Sequence, residues 1–206
     1  EALADMSGLG HVTRAHGGGL LLSVAGPARV RRLLASVLDE QRFLSPHGLR
    51  SLSRWHLDHP FAVEVEGYRA VVGYEPAESH SGLFGGNSNW RGPVWFPFNY
   101  LVIDALERYH AAFGDAFTIE HPTGSGRQAT LGEVAHDLRR RLVSLFLPDD
   151  AGRRPCFGEA ELFAEPRWRE PLFHEYFDGD TGAGLGASHQ TGWTGLVADL
   201  IVRRPR

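Results

Sequence analysis

The sequence predicts an all-α scaffold that carries long aromatic-rich loops and one short β-hairpin. Three observations point to it. Four stretches repeat apolar residues at helical spacing. One stretch, FAVEVEGYRAVVGYEP, alternates apolar and polar residues on either side of Glu66-Gly67. The segments in between are long and full of Trp, Phe, His, Arg and Asn, which argues against disordered linkers.

In chain order, residues 1–26 are glycine-rich and weakly patterned. Pro27 opens the first helix, PARVRRLLASVLDEQRF, because a proline in the first turn forfeits no intrahelical hydrogen bond. Val30, Leu33, Leu34, Val37 and Leu38 form its apolar stripe. Residues 44–60 break the pattern with prolines and polar side chains and read as loop, followed by the hairpin. Residues 76–94, PAESHSGLFGGNSNWRGPV, are irregular again. They run into a second helix, FPFNYLVIDALERYHAAFG, with Leu101, Val102, Ala105, Tyr109 and Ala112 on its apolar side and Gly114 suited to its end. Asp104 and Glu107 on this helix read as a solvated face. TLGE is a capping box, Thr130 to Glu133, that starts VAHDLRRRLVSLFL, and Pro148 stops it. Residues 149–170 read as loop with a short helical turn at EAELFAE. From Thr191 the chain turns helical once more.

With 206 residues, 42% of them hydrophobic, the chain can build the core of one ordinary domain. A formal net charge of −4 offers no polyanion-binding surface, so no nucleic acid partner is expected. No apolar run reaches the ~18 residues of a membrane span, so no membrane partner is expected either. GLLLSVAG is too short for a secretory leader, which makes the expected compartment cytoplasmic. The single cysteine, Cys156, allows no intrachain disulfide, and nothing around it supplies a base. The chain begins at Glu1, and a piece of a longer protein is expected.

Two clusters carry chemistry. In GNSNWRGPVWFPFNY, Trp90 and Trp95 offer faces on which a sugar ring can stack. Arg91 and Asn99 offer forked hydrogen bonds for its hydroxyls. The same residues also fit a helix entrance with Trp95 in the core and Arg91 paired to a carboxylate. In PLFHEYFDGDTGAGLGASHQTGWTG, Glu175 stands among Phe173, Tyr176 and Phe177. A carboxylate confined among aromatics is suited to acid or base duty, although a surface-loop glutamate fits too. His174 and His189 could act as acid, base or ligand, or simply be hydrogen-bonded structural groups. No HExxH or CxxC spacing is present, and DGDTGAG lacks the acidic positions of a calcium loop, so no metal and no cofactor are expected. The glycine spacing matches neither a phosphate loop nor a dinucleotide fingerprint, and there is no GxSxG.

GNSNWRGPVWFPFNYLVIDAL and LFHEYFDGDTGAGLGASHQTGWTGLVA, with FLSPHGLRSLSRWH upstream, resemble the C-terminal catalytic region of glycoside hydrolase family 63. The resemblance implies an (α/α)6 barrel, of which residues 1–206 would be the C-terminal part, a single partial catalytic domain. It implies an inverting hydrolase of α-glucosides or related α-glycosides, small or oligosaccharide, with Glu175 as general base. Trp90, Arg91, Trp95, Tyr176, His189 and Trp193 would line the sugar pocket. No aspartate here matches the family's general acid. The chain is therefore expected to need the missing N-terminal part of the barrel, in the same or another chain, and to be inactive alone. Turnover by the chain itself would direct the search for an acid to Asp58, Asp178 or Asp180. The alternative is a non-catalytic carbohydrate-binding or structural remnant of the same barrel.

Overall fold

The computed structural model describes residues 12–82, 90–168 and 170–203. All four sequence-read helices form: α1 (Pro27–Val37), α2 (Phe96–Phe113), α3 (Leu131–Ser144), and a C-terminal stretch split into α4 (Thr191–Thr194) and α5 (Val197–Val202). The capping box is present at α3. Thr130 Oγ1 accepts from the Glu133 N–H, and the Glu133 carboxylate accepts from the Thr130 N–H.

The all-α expectation, helical double ring included, does not hold for this chain. Five antiparallel strand pairs accompany the helices: β1 (Val12–Arg14) with β2 (Leu20–Leu22), β3 (Leu44–Ser45) with β4 (Gly48–Leu49), β5 (Phe61–Val65) with β6 (Tyr68–Val72), β7 (Thr118–Glu120) with β8 (Gln128–Thr130), and β9 (Tyr176–Phe177) with β10 (Gly184–Leu185). The class is mixed α and β. Only the expected hairpin, β5–β6, was legible. Its two-residue turn places Glu66 and Gly67 at φ 51° and 83°, the left-handed pair a tight hairpin needs. The other strands run for two or three residues, too short for alternation to show in a sequence.

The core lies where α2 packs on α3. Phe96, Ile103 and Leu106 of α2 meet Leu131, Val134, Leu138 and Leu142 of α3, with Leu38, Leu44 and Phe177 closing the cluster. Of the expected face, Ala112 is buried and Val102 and Tyr109 pack against the core, while Leu101 and Ala105 are exposed; Phe96, Asn99, Ile103, Leu106 and Glu107 are buried as well. The helix is apolar around most of its circumference, so periodicity does not select one side, and the partners do. Val94, just before α2, is bridged to Phe177 in both directions (N···O 2.8 and 3.0 Å) and to Arg50. Those bonds bring the WRGPVW and HEYFDGDTG segments side by side. Among the described residues no helix is long and apolar enough to cross a membrane.

Candidate active site

The site forms around Trp95. Its ring stacks on Trp90 (centroids 4.6 Å apart) and on Tyr176 (5.2 Å), and meets Trp193 edge-on at 5.7 Å. Phe98 stands edge-on to Trp90 at 5.4 Å. Trp95 and Tyr176 are buried, whereas Trp90, Phe98 and Trp193 keep 48%, 56% and 39% of their surface open. The result is an aromatic tier with a buried base and exposed faces, the arrangement that takes the flat face of a ring-shaped ligand. Asn87 and Asn89 of the same cluster lie outside the described residues.

Glu175 is half-buried beside this tier. Its carboxylate Oε2 receives the backbone N–H of Ala187 at 3.4 Å, a long contact that leaves it ready for another donor. Gly186 makes the fit possible. It sits at φ 66°, and a Cβ there would stand 2.7 Å from Glu175 Oε2 and 2.9 Å from Tyr176 Cε1. Tyr176 is therefore packed on the same glycine as the carboxylate. Its hydroxyl donates to Glu78 Oε2 at 3.1 Å. Burial first, then the negative charge of Glu78 and the hydrogen bond to it, and then Glu175, hold the phenol pKa well above its ordinary value. The phenol thus stays protonated and donating. Glu78 is exposed, and no sequence motif singled it out.

Two expected sugar contacts are occupied by the protein instead. Arg91 is only 4% exposed, and its Nη2 donates to Glu75 Oε2 (2.8 Å), Ser79 Oγ (2.7 Å) and Ser81 Oγ (3.2 Å). That is the carboxylate-paired alternative read from the sequence, and it fastens the 75–81 loop under the site. Asn99 is 1% exposed. Its side chain bonds the Leu49 N–H (2.7 Å), the Leu49 carbonyl (3.1 Å) and the Trp95 carbonyl (2.9 Å), tying β4 to the start of α2. His189 bridges to Phe173 through the backbone, and its side chain is exposed. His174 packs its ring over Gly184 and edge-on to Phe177, and burial lowers its pKa, so it stays neutral.

The aspartates near the glycines are engaged structurally. Asp178 Oδ1 accepts from the N–H groups of Asp180 (2.7 Å) and Thr181 (2.9 Å), which makes DGDTG a carboxylate-closed turn. Asp180 Oδ1 accepts from buried Arg50 Nη2 (2.8 Å) and from the Tyr74 hydroxyl (2.9 Å), clamping three loops together. Asp58 is exposed at the end of a 3-10 turn, Arg54–Leu57. Among the described residues no group of three or more His, Cys, Asp and Glu gathers as a metal site. Cys156 is buried, and burial pushes its thiol pKa up to about 11, so it is a poor nucleophile.

A larger concavity, about 820 Å³, opens along α2 and α3 and is lined by Glu107, His110, His121, Asp137, Arg139 and Arg141 among others. Its charges face each other. Glu107, expected on a solvated face, is buried and pairs with Arg139 and with Arg203. Asp137 accepts from His121 (3.0 Å), Arg140 (2.6 Å) and Arg141 (2.6 Å). Burial raises its pKa, but those three donors outweigh burial and hold the carboxyl far below the usual range.

The family model described as the mannosylglycerate hydrolase MGH1-like glycoside hydrolase domain matches residues 18–194. The uncharacterized protein YMR196W of Saccharomyces cerevisiae is 50% identical over 198 residues, which are 91% of this chain and 18% of that protein. A probable mannosyl-oligosaccharide glucosidase of Schizosaccharomyces pombe is 26% identical over 185 residues, 89% of this chain and 16% of the relative. The mannosyl-oligosaccharide glucosidase of S. cerevisiae is 23% identical over 177 residues, 85% of this chain and 15% of the relative. The chain spans less than a fifth of the length of these curated relatives.

Proposed function

This chain belongs to the mannosylglycerate hydrolase MGH1-like glycoside hydrolase family, within glycoside hydrolase family 63, and from that premise we propose that it supplies the general base of an inverting hydrolase of α-linked glucosides or related α-glycosides. The observation that carries the proposal is the half-buried Glu175 carboxylate beside the Trp90–Trp95–Tyr176–Trp193 tier. In this reading the sugar lies against the tier. Glu175 accepts a proton from a water, the water oxygen attacks the anomeric carbon, and the aglycone oxygen departs with a proton from a second carboxylic acid. Inversion needs those two carboxyl groups ~6.5–9.5 Å apart, with room for the water. Asp178 and Asp180 are engaged in turn and clamp, so the proton donor is proposed to come from polypeptide beyond these 206 residues, and residues 1–206 to be one partial catalytic domain.

The test is Glu175→Gln in the full-length gene product, assayed on p-nitrophenyl α-D-glucopyranoside. The amide cannot take the water's proton, so kcat falls by about 10²–10⁴-fold with KM little changed. The wild-type product is released as the β-anomer, seen by NMR before mutarotation. Unchanged kcat in the variant, or an α-configured product, would remove Glu175 from this role. Binding without any turnover by the wild type would favour the non-catalytic sugar binder. The isolated 206-residue chain is expected to hydrolyse no α-glucoside above background.

A further inference from the structure

We propose that Glu78 is a substrate-recognition residue of this site, its carboxylate held by Tyr176 so that it accepts hydrogen bonds from sugar hydroxyls on the aromatic tier. The inference rests on the sugar-site reading above and adds a residue to it. Glu78 is exposed, and an exposed glutamate on an ordinary loop has many rotamers and no fixed target. This loop is fastened on both sides of Glu78. Arg91 holds Glu75, Ser79 and Ser81, the Glu75 N–H donates to the Arg91 carbonyl (2.7 Å), and the Gly179 N–H donates to the Pro76 carbonyl (3.0 Å). The side chain is then fixed at its tip by a fully buried phenol, Tyr176, whose ring also stacks on Trp95 and packs against Gly186.

One Glu78 oxygen accepts the hydrogen bond from the Tyr176 hydroxyl. A carboxylate has about four lone-pair sites, so acceptor capacity remains at the edge of the tier. A sugar presents paired hydroxyl donors there. The phenol stays protonated throughout the neutral range, so it goes on donating to the Glu78 carboxylate. Catalysis does not require Glu78 to move a proton. Its part is to distinguish one hydroxyl pattern from another, because a site built around an acceptor penalises a ligand that lacks the matching donor.

The experiment is a cycle between residue and ligand in the full-length gene product, in the Glu175→Gln background so that no glycoside is consumed. Methyl α-D-glucopyranoside and its 2-, 3-, 4- and 6-deoxy analogues are titrated by tryptophan fluorescence or calorimetry, with and without Glu78→Ala and with Tyr176→Phe. The expected result is that at least one deoxy analogue binds roughly tenfold to a hundredfold more weakly than the parent. With Glu78→Ala that analogue and the parent bind alike, and with Tyr176→Phe the discrimination shrinks but persists. If Glu78→Ala weakens the parent and all analogues equally, or weakens none, the inference is overturned while the sugar site stands. If the Glu175→Gln background binds no glucoside at all, the sugar-site reading falls, and the inference with it. Glu78 is a surface residue, and unchanged near-ultraviolet circular dichroism of its variant confirms that the fold is intact.

Discussion

The two ends of α2 carry opposite kinds of polar chemistry. At the N-terminal end, Trp90, Phe98 and Trp193 keep open faces, and among the described residues Glu175 accepts one long backbone hydrogen bond. Toward the C-terminal end, Glu107 faces the 820 Å³ cleft, where Arg139 and Arg203 grip it and a second knot joins Asp137 to His121, Arg140 and Arg141. The cleft is the larger cavity, and its charges are paired with one another, although Glu107 Oε2, His110 Nδ1, His121 Nδ1 and Arg139 Nε form no hydrogen bond among the described residues. The aromatic end is smaller, about 290 Å³ beside Trp90, Trp95 and Phe98, but among the described residues it keeps aromatic faces open. Open aromatic faces beside a carboxylate, rather than volume, are what mark a place for a ring-shaped ligand here.

The largest expected effect tests the cleft as structure. Glu107→Ala leaves the Arg139 guanidinium buried without its carboxylate. Removing one partner of a buried pair costs about 3–5 kcal/mol, so the denaturant midpoint and Tm should drop sharply. Glucoside affinity of the folded fraction should be unchanged. A loss of affinity with stability intact would break the comparison and make the cleft part of a ligand site.

Asn99→Ala tests the aromatic end from beneath. The residue was read as a hydroxyl donor, and the structure gives it three bonds to backbone instead. Its loss leaves buried peptide groups unpaired, at about 1–3 kcal/mol in equilibrium unfolding. If affinity falls and stability does not, Asn99 belongs to the sugar after all.

Asn99 also shows where sequence reading stops. Residue types pointed to the candidate site: tryptophans, a carboxylate between aromatics, and glycines that let loops approach closely. Sequence also placed the four helical stretches, the hairpin and the α3 capping box, because each is encoded within about one turn or one strand. It could not say which polar side chains are turned inward. Arg91 and Asn99 look like ligand donors in a string of letters. Only the folded contacts, of Arg91 with Glu75, Ser79 and Ser81 and of Asn99 with Leu49 and Trp95, show that a neighbouring loop and backbone groups engage them. Glu78 was hidden for the converse reason. Its partner is 98 positions away, and nothing in PAESHSG marks it. The short strands, and the burial of Glu107 on α2, are likewise set by distant partners.

The smallest effect on stability gives the most direct test of the tier itself. Trp193 touches Trp95 edge-on and keeps 39% of its surface open, so Trp193→Ala removes one aromatic contact worth about 0.5–1.5 kcal/mol from the fold. Its effect on affinity should be out of proportion to that. The open face is the part a sugar would lie against, and methyl α-D-glucopyranoside should bind several-fold more weakly. Trp55 provides the control. It is 50% exposed and stacked on His59 at 3.9 Å, a similar aromatic contact outside the tier. Trp55→Ala should alter stability comparably and leave affinity alone. Equal losses of affinity from the two substitutions would mean that exposed tryptophan surface in general, and not this tier, is what the glucoside senses.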